Sequence, residues 1–449
     1  MSGRPYILIA ALLCQYFSTG FASTPNPASP DSNRPPQASE DSRTIRLPVI
    51  EGDDIPFLRL SGAEGLSQHR VTQIVQDNQG FIWFGTQYGL NRYDGYQFKV
   101  FKNDPGRKDS FCGVLVTVLF KDRSGALWAG CEDRLDRFDP TTETFIHYQL
   151  DSDKGTPRLA DSVRHIYEDR QGMLWLSTGR GLYRLDPRSG GITRFHHLPD
   201  DSWSLSSDEV WSSGEDRQGT FWVATGEGVD SFDRTTGRVT FHVPLHEPHE
   251  VSFYEDRSGV FWILCASGNG LAVLDRAQRR LTRSSFARED LPGLPLTGAI
   301  RMLEDRDGNL WIGTLSDGIL RLDRQRSTFV QYRNDPRNYD TMPENRITTL
   351  FEDREGDVWV GLGATAPVFF ETRPLPFKKL PFDSANDANL GETLVNAIYQ
   401  DHEGSLWIGT TGALDRCDAS GRHCTRYAVP GDGIASDVLA MVEDPAGRF

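Results

Sequence analysis

The sequence has no excess of basic charge: 48 Lys and Arg stand against 63 Asp and Glu over 449 residues, a formal net charge of −15. Without a basic stripe to neutralise phosphates, nucleic acid is excluded as a partner. The acidic surface is first a matter of solubility. Helical periodicity is absent throughout, which excludes a helical fold. After the first two dozen residues no apolar run is long enough to span a bilayer. No H-E-x-x-H pair is present to set two metal ligands on one helical face. The six cysteines are compatible with export, but the fold does not depend on them.

What the chain does have is a repeat. Residues 77 to 94 read DNQGFIWFGTQYGLNRYD. The core pattern D-x-x-G-x-x-W returns at Asp122/Gly125/Trp128, Asp169/Gly172/Trp175, Asp216/Gly219/Trp222, Asp256/Gly259/Trp262, Asp305/Gly308/Trp311, Asp353/Gly356/Trp359 and Asp401/Gly404/Trp407. Eight of the ten tryptophans are used in this way, at steps of 40 to 49 residues, a period that signals propellers, solenoids or arrays.

Each copy reads as four short antiparallel strands. An apolar pattern such as Val71, Ile74, Val75 makes the first. D-x-x-G is a hairpin turn, with Asp bonding its downstream backbone and Gly free to take positive φ. The second strand, Phe81 to Thr86, is apolar on both faces, as in a sheet covered on both sides. Two residues after the Trp stands Gly85, Gly130, Gly313 or Gly409, leaving room for a neighbouring sheet beside the indole. The third strand ends at an Asp (Asp94, Asp139, Asp186, Asp233, Asp418), across which apolar residues pair seven apart: Phe138 with Phe145, Leu185 with Ile192, Phe232 with Val239, Leu274 with Leu281, Leu322 with Phe329. This is an all-β chain, a β-propeller of four-stranded blades. A parallel β-helix has shorter coils and lacks the hairpin turns.

Residues 1–22, with Arg4, an apolar run from Tyr6 to Leu13 and small residues Gly20 and Ala22, predict a secretory signal peptide. Residues 23–54, rich in Pro and Ser, predict a disordered linker. Phe57 to Leu60 resembles the fourth strand of a blade without its first three, a closing strand for the ring. A seven-bladed propeller is predicted over 55–383, because the seventh copy breaks pattern at Ala366-Pro367 and is followed by Pro374, Pro376 and Pro381. One eight-bladed ring is the alternative. Residues 384–449 predict the start of a second, incomplete ring. Its ninth copy, begun at Val438, stops at Phe449 before the Trp of its pattern, which predicts a fragment of a longer receptor.

With these residues laid out, the chain resembles the two-component regulator propeller family of bacterial sensors. Gly65-Leu66-Ser67-Gln68, Trp83-Phe84-Gly85-Thr86 and Gly89-Leu90-Asn91-Arg92-Tyr93-Asp94 carry the resemblance. It implies a periplasmic ligand-sensing propeller of a transmembrane receptor, with histidine kinase or diguanylate cyclase output. No span, kinase or cyclase motif stands in this sequence. A receptor dimer is expected where the C-terminal part is present. The alternatives are a secreted lyase resembling the streptogramin lyases and a passive interaction scaffold.

No catalytic residue, cofactor or metal site is expected. The repeated Asp residues read as turn caps, and His242, His246 and His249 with Glu247 and Glu250 read as a solvated loop between blades. Ligand-binding candidates come from comparing the copies. The turn after the second strand carries Tyr88, Asp133, Arg180 and Glu227, with Asn269 and Asp317 at nearby positions in copies five and six. Each could be only a solvated turn residue. As a ring they would line one concave face and take a small polar ligand such as a carbohydrate or peptide. Cys131 and Cys265 read as small buried fillers, and the sequence gives no role for Cys112. Cys417 and Cys424 stand where other copies place the cross-strand pair, which makes them either a disulfide or two packed thiols.

Overall fold

The computed structural model describes residues 34–40, 45–52, 54–60, 65–131, 134–150, 162–246, 248–266, 270–287, 298–323, 329–372, 395–410, 413–418, 424–428 and 438–444. The chain divides into two compact units at Thr372/Arg373. All the regular structure described is strand, and no described helix is long and apolar enough to cross a membrane.

The first unit is a ring of seven four-stranded blades. Blade 1 is Val71–Gln76, Ile82–Thr86, Gly89–Tyr93 and Phe98–Phe101, hydrogen-bonded in that order. The expected cross-strand pairs fall in register: Phe138 faces Phe145, Leu185 Ile192, Phe232 Val239, Leu274 Leu281 and Leu322 Phe329.

The repeated Asp, Gly and Trp have one shared physical role. In blade 3, Asp169 Oδ1 accepts the N–H groups of Gln171 and Met173, which shapes the turn, while Oδ2 accepts the Trp175 indole N–H at 2.8 Å. All eight motif tryptophans make this bond, at 2.7 to 3.0 Å. The indole is thus held edge-on with its polar atom satisfied. It is buried against the next blade: Trp175 packs on Val210, Phe221 and Val223, and Trp222 on Val251, Phe261 and Ile263. Trp359 of blade 7 packs on Val71, Ile74 and Phe84 of blade 1, which closes the ring at seven. A Cβ on Gly85 would come 2.7 Å from Val116 of the next blade, so glycine is required at this contact.

A second repeated device lies beside the first. Glu or Gln precedes the turn Asp in six of the seven ring blades, and Arg follows it in six. The Arg257 backbone N–H donates to Glu304 of blade 6 at 2.7 Å, and its guanidinium to the Arg306 carbonyl. Arg306 repeats this on Glu352 and on the Asp353 carbonyl of blade 7. Arg354 does the same on Gln76 and the Asp77 carbonyl of blade 1. Six of the seven turns are therefore latched to the following blade around the face where these turns lie.

The ring closes with an N-terminal strand. Leu58–Arg59 pairs antiparallel with Val368–Glu371 as the fourth strand of blade 7. Ahead of it, the residues expected as a disordered linker are partly ordered. Ser39–Glu40 and Ile45–Glu51 lie parallel on the outer strands of blades 5 and 6 and join them into a ten-stranded sheet. Composition misses this because the pairing is through backbone. The outermost strand of a blade leaves a row of N–H and C=O groups open, and this segment satisfies them with its own main chain. Residues 1–33, which include the expected signal peptide, lie outside the described residues.

The second unit holds one more blade, Val395–Gln400, Leu406–Thr410, Ala413–Cys417 and Cys424–Ala428. Cys417 faces Cys424 in the register and the two are joined in a disulfide. Its turn is latched as in the ring, His402 meeting Glu443 of the next repeat. The prolines from 374 to 381 lie outside the described residues.

Candidate functional site

Four of the six candidate turn residues are described; Asp133 and Asn269 lie outside the described residues. Tyr88, Arg180, Glu227 and Asp317 each donate a backbone N–H to the threonine three places after the motif Trp, at 3.1, 3.0, 3.2 and 2.8 Å. These turns share a face with the starts of the first strands, since the Gly226 N–H donates to the Glu209 carbonyl and that of Leu315 to Gly298. Tyr88 and Glu227 are exposed. None of the four lines the central cavity. They form a rim and do not come together in one pocket.

The residues that do come together belong to the first strands. A cavity of about 410 Å³ runs into the middle of the ring, walled by every blade. In blades 1, 3, 4, 6 and 7 the first strand carries a β-bulge just after its start, between Val71/Gln73, Val163/His165, Val210/Ser212, Ala299/Arg301 and Ile347/Thr349. A bulge re-aims the side chain that follows it. Gln73, His165, Ser212, Arg301 and Thr349, the residues after these bulges, all face the cavity. Like the rim turns, this position changes from blade to blade.

At the mouth, the Arg164 guanidinium lies over the Trp211 indole, 3.8 Å from the ring centre, and reaches Glu209 at 3.3 Å. The Trp211 indole N–H is buried without an acceptor among the described residues. Deeper in, His165 Nδ1 accepts the Ser213 N–H at 3.4 Å, which leaves the proton of the neutral ring on Nε2. Burial, with the Arg301 charge beside it, pushes the His165 pKa down to about 4. Arg301 donates to the Ile300 carbonyl at 2.8 Å. Burial works against its charge; Glu250 at the mouth is close enough to offset this in part, but forms no ion pair with it.

Away from the lumen, the turn aspartates have both carboxylate oxygens committed and offer no catalytic group. The three histidines of blade 4 do not assemble. His242 is not solvated: its Nδ1 sits 2.6 Å from buried Asp230. His249 packs on Trp211, His246 is exposed, and Glu247 lies outside the described residues.

Cys131 is not an unpaired filler but is bonded to Cys112. The other blades explain why. At the positions of Cys112 and Cys131, blade 1 has Ser67 and Thr86 in a 2.9 Å hydroxyl pair, and blade 4 has Ser206 and Thr225 at 2.7 Å. The disulfide replaces that hydrogen bond. Asp136, the third member of the one group of potential metal ligands among the described residues, accepts the Cys112 N–H as Asn91 accepts that of Ser67 and Asp230 that of Ser206. Its other oxygen holds His147 at 2.5 Å. This is a loop anchor. Cys265 is a buried thiol outside both disulfides, as expected.

The family model "Two component regulator propeller" matches residues 65–88, 158–180, 293–316, 341–363 and 389–412. Five segments of the chain thus carry repeats of that family. Among solved structures, it is similar to the extracellular domain of BT3049, assigned to a hybrid two component system of B. thetaiotaomicron, with 25% identity, a TM-score of 0.68, and coverage of 88% of this chain and 51% of that one. The chain thus spans about half the length of that relative. A virginiamycin B lyase from Staphylococcus aureus shares the fold at 14% identity and a TM-score of 0.53, over 71% of this chain and 99% of the lyase. Histidine kinase P4 of Formosa agariphila is 40% identical over 55 residues, 12% of this chain and 4% of the kinase.

Proposed function

We propose that the chain is the ligand-sensing, extracytoplasmic propeller of a bacterial transmembrane signalling receptor of the two-component type. The similarity over 88% of the chain to an extracellular domain assigned to such a system carries this reading. The lumen adds to it, with chemically varied side chains on a scaffold that repeats from blade to blade. The apolar run from Tyr6 to Leu13 and the small residues before Ser23 support export to the periplasm. The ligand is a small polar molecule, a carbohydrate or peptide, received at the face where the rim turns and the lumen mouth open together. The domain acts by binding and not by catalysis.

A thermal-shift screen of glycans and short peptides on the full chain tests the reading. A stabilising compound is expected whose effect falls on substitution in the lumen or at Arg180 or Tyr88. A hit that is unaffected there, but lost on substitution at the latched turns of the opposite face, would remove the assignment. Metal-dependent opening of a cyclic depsipeptide would favour the lyase instead.

A further inference from the structure

The lumen is rich in unused donors and poor in acceptors of the right charge. Arg301 is the decisive group. It stands on the first strand of blade 6 behind a bulge, faces the cavity, and has the Ile300 carbonyl as its one hydrogen-bond partner among the described residues. A guanidinium stays charged at any physiological pH, and a charge taken out of bulk water is costly unless it is paired. Three other half-buried arginines of the ring have such partners. Arg164 has Glu209, Arg234 has Glu215, and Arg276 has both Asp216 and Glu255. Among the described residues Arg301 has none, and it faces a cavity where a small molecule could supply it.

Its surroundings narrow the class of partner. His165, across the lumen, is held neutral and keeps an Nε2–H without a protein acceptor among the described residues. One fixed positive charge beside a neutral donor matches a single negative charge, and the planar fork of a guanidinium fits a carboxylate through two parallel hydrogen bonds. A dianionic phosphate would leave charge uncompensated. The cavity, at about 410 Å³, lies in the range of small-molecule sites and has Trp211 and Tyr254 in its wall to pack against the body of a ligand.

We infer that the lumen is a carboxylate-binding site, in which Arg301 takes the carboxylate of a small acidic ligand such as a uronic or other hydroxy acid and His165 donates a further hydrogen bond. This rests on the sensor reading and specifies its ligand. Glu250, at the mouth, then repels the ligand mildly and tunes affinity.

The test uses the full chain and its Arg301→Met, Arg301→Lys and Glu250→Gln variants, melted at matched ionic strength with glucuronate, lactate, acetate, glucose or inorganic phosphate. Glucuronate should raise Tm in the wild type, and glucose should not. The rise should vanish in Arg301→Met, weaken about tenfold in apparent affinity in Arg301→Lys, which keeps the charge but not the fork, and strengthen in Glu250→Gln. Without ligand, Arg301→Met should melt no lower than the wild type; a lower Tm would mean that Arg301 serves the fold, and would overturn the assignment. So would a glucuronate effect that survives Arg301→Met, an equal effect of glucose, a stronger effect of phosphate, or no response to any of the three carboxylates. None of these results touches the sensor reading, which stands or falls on the wider glycan and peptide screen.

Discussion

The two faces of the ring follow different rules. On the latched face every blade does the same thing: an Asp caps its turn and holds its Trp, and in six blades an Arg reaches over to the next turn. On the opposite face each blade solves its own problem. Blades 1 and 4 pin the loop ahead of the first strand with a Ser–Thr pair, and blade 2 does so with a disulfide. The lumen residues behind the bulges are Gln, His, Ser, Arg and Thr. Uniformity marks where the chain must close a circle, because one blade out of step leaves a gap. Variety marks where closure no longer constrains the residue, and there a site can be built.

If the latched face is uniform in energy as well as geometry, Trp222→Ala should cost about 3–5 kcal/mol, the usual range for truncating a buried Trp. Trp175→Ala and Trp311→Ala should cost the same to within about 1 kcal/mol, since all three indoles are buried and bonded alike. Chemical denaturation of the three variants checks this, and a spread as wide as the effect itself would break the comparison.

The opposite face should instead respond blade by blade. Exchanging Cys112 and Cys131 for the Ser and Thr of blades 1 and 4 keeps the loop in place but removes a cross-link over 19 residues. The loss should be about 2–3 kcal/mol, the chain-entropy value for a loop of that length less a hydrogen bond. A melt under reducing conditions should bring the wild type down to the double variant. A variant as stable as the oxidised protein would show that the two fastenings are equivalent.

The smallest expected effect separates one lumen residue from its counterparts. His165 binds a proton less readily folded than unfolded, with a pKa near 4 against an ordinary value of 6.5. Its contribution is therefore intact above pH 6.5 and is lost as pH falls from there towards 4. The loss is about 2 kcal/mol after allowance for water in the lumen. His165→Gln should flatten that part of the stability profile, while Gln73→Ala should leave it unchanged.

Most of the architecture could be read from the repeat, because the residues that close a propeller recur at fixed spacing. The wedged Trp, the glycine at the blade contact, the cross-strand pairs and the closing strand at Leu58–Arg59 all stand where the pattern puts them. Two features escaped for physical reasons. The pairing of Ser39–Glu40 and Ile45–Glu51 uses backbone groups that carry no side-chain signature. The E-D-R triplet was visible at five of the seven turns, but the link it makes is to a residue more than 35 positions away. For the cavity, the turns around it were legible and the residues that line it were not. A bulge shifts which side chain faces the lumen, and strict strand alternation does not contain that shift.

The closing strand also has a consequence in time. Residue 58 finds its partner only at residue 369, so in a chain made N-terminus first it must wait for six blades and most of a seventh. Contacts that distant form late and slowly. Until then the outer edge of blade 7 lies open, and an open edge pairs with whatever strand is near. Folding of this ring is therefore governed less by the strength of any blade than by how long two short strands, far apart in the chain, can be kept from other partners.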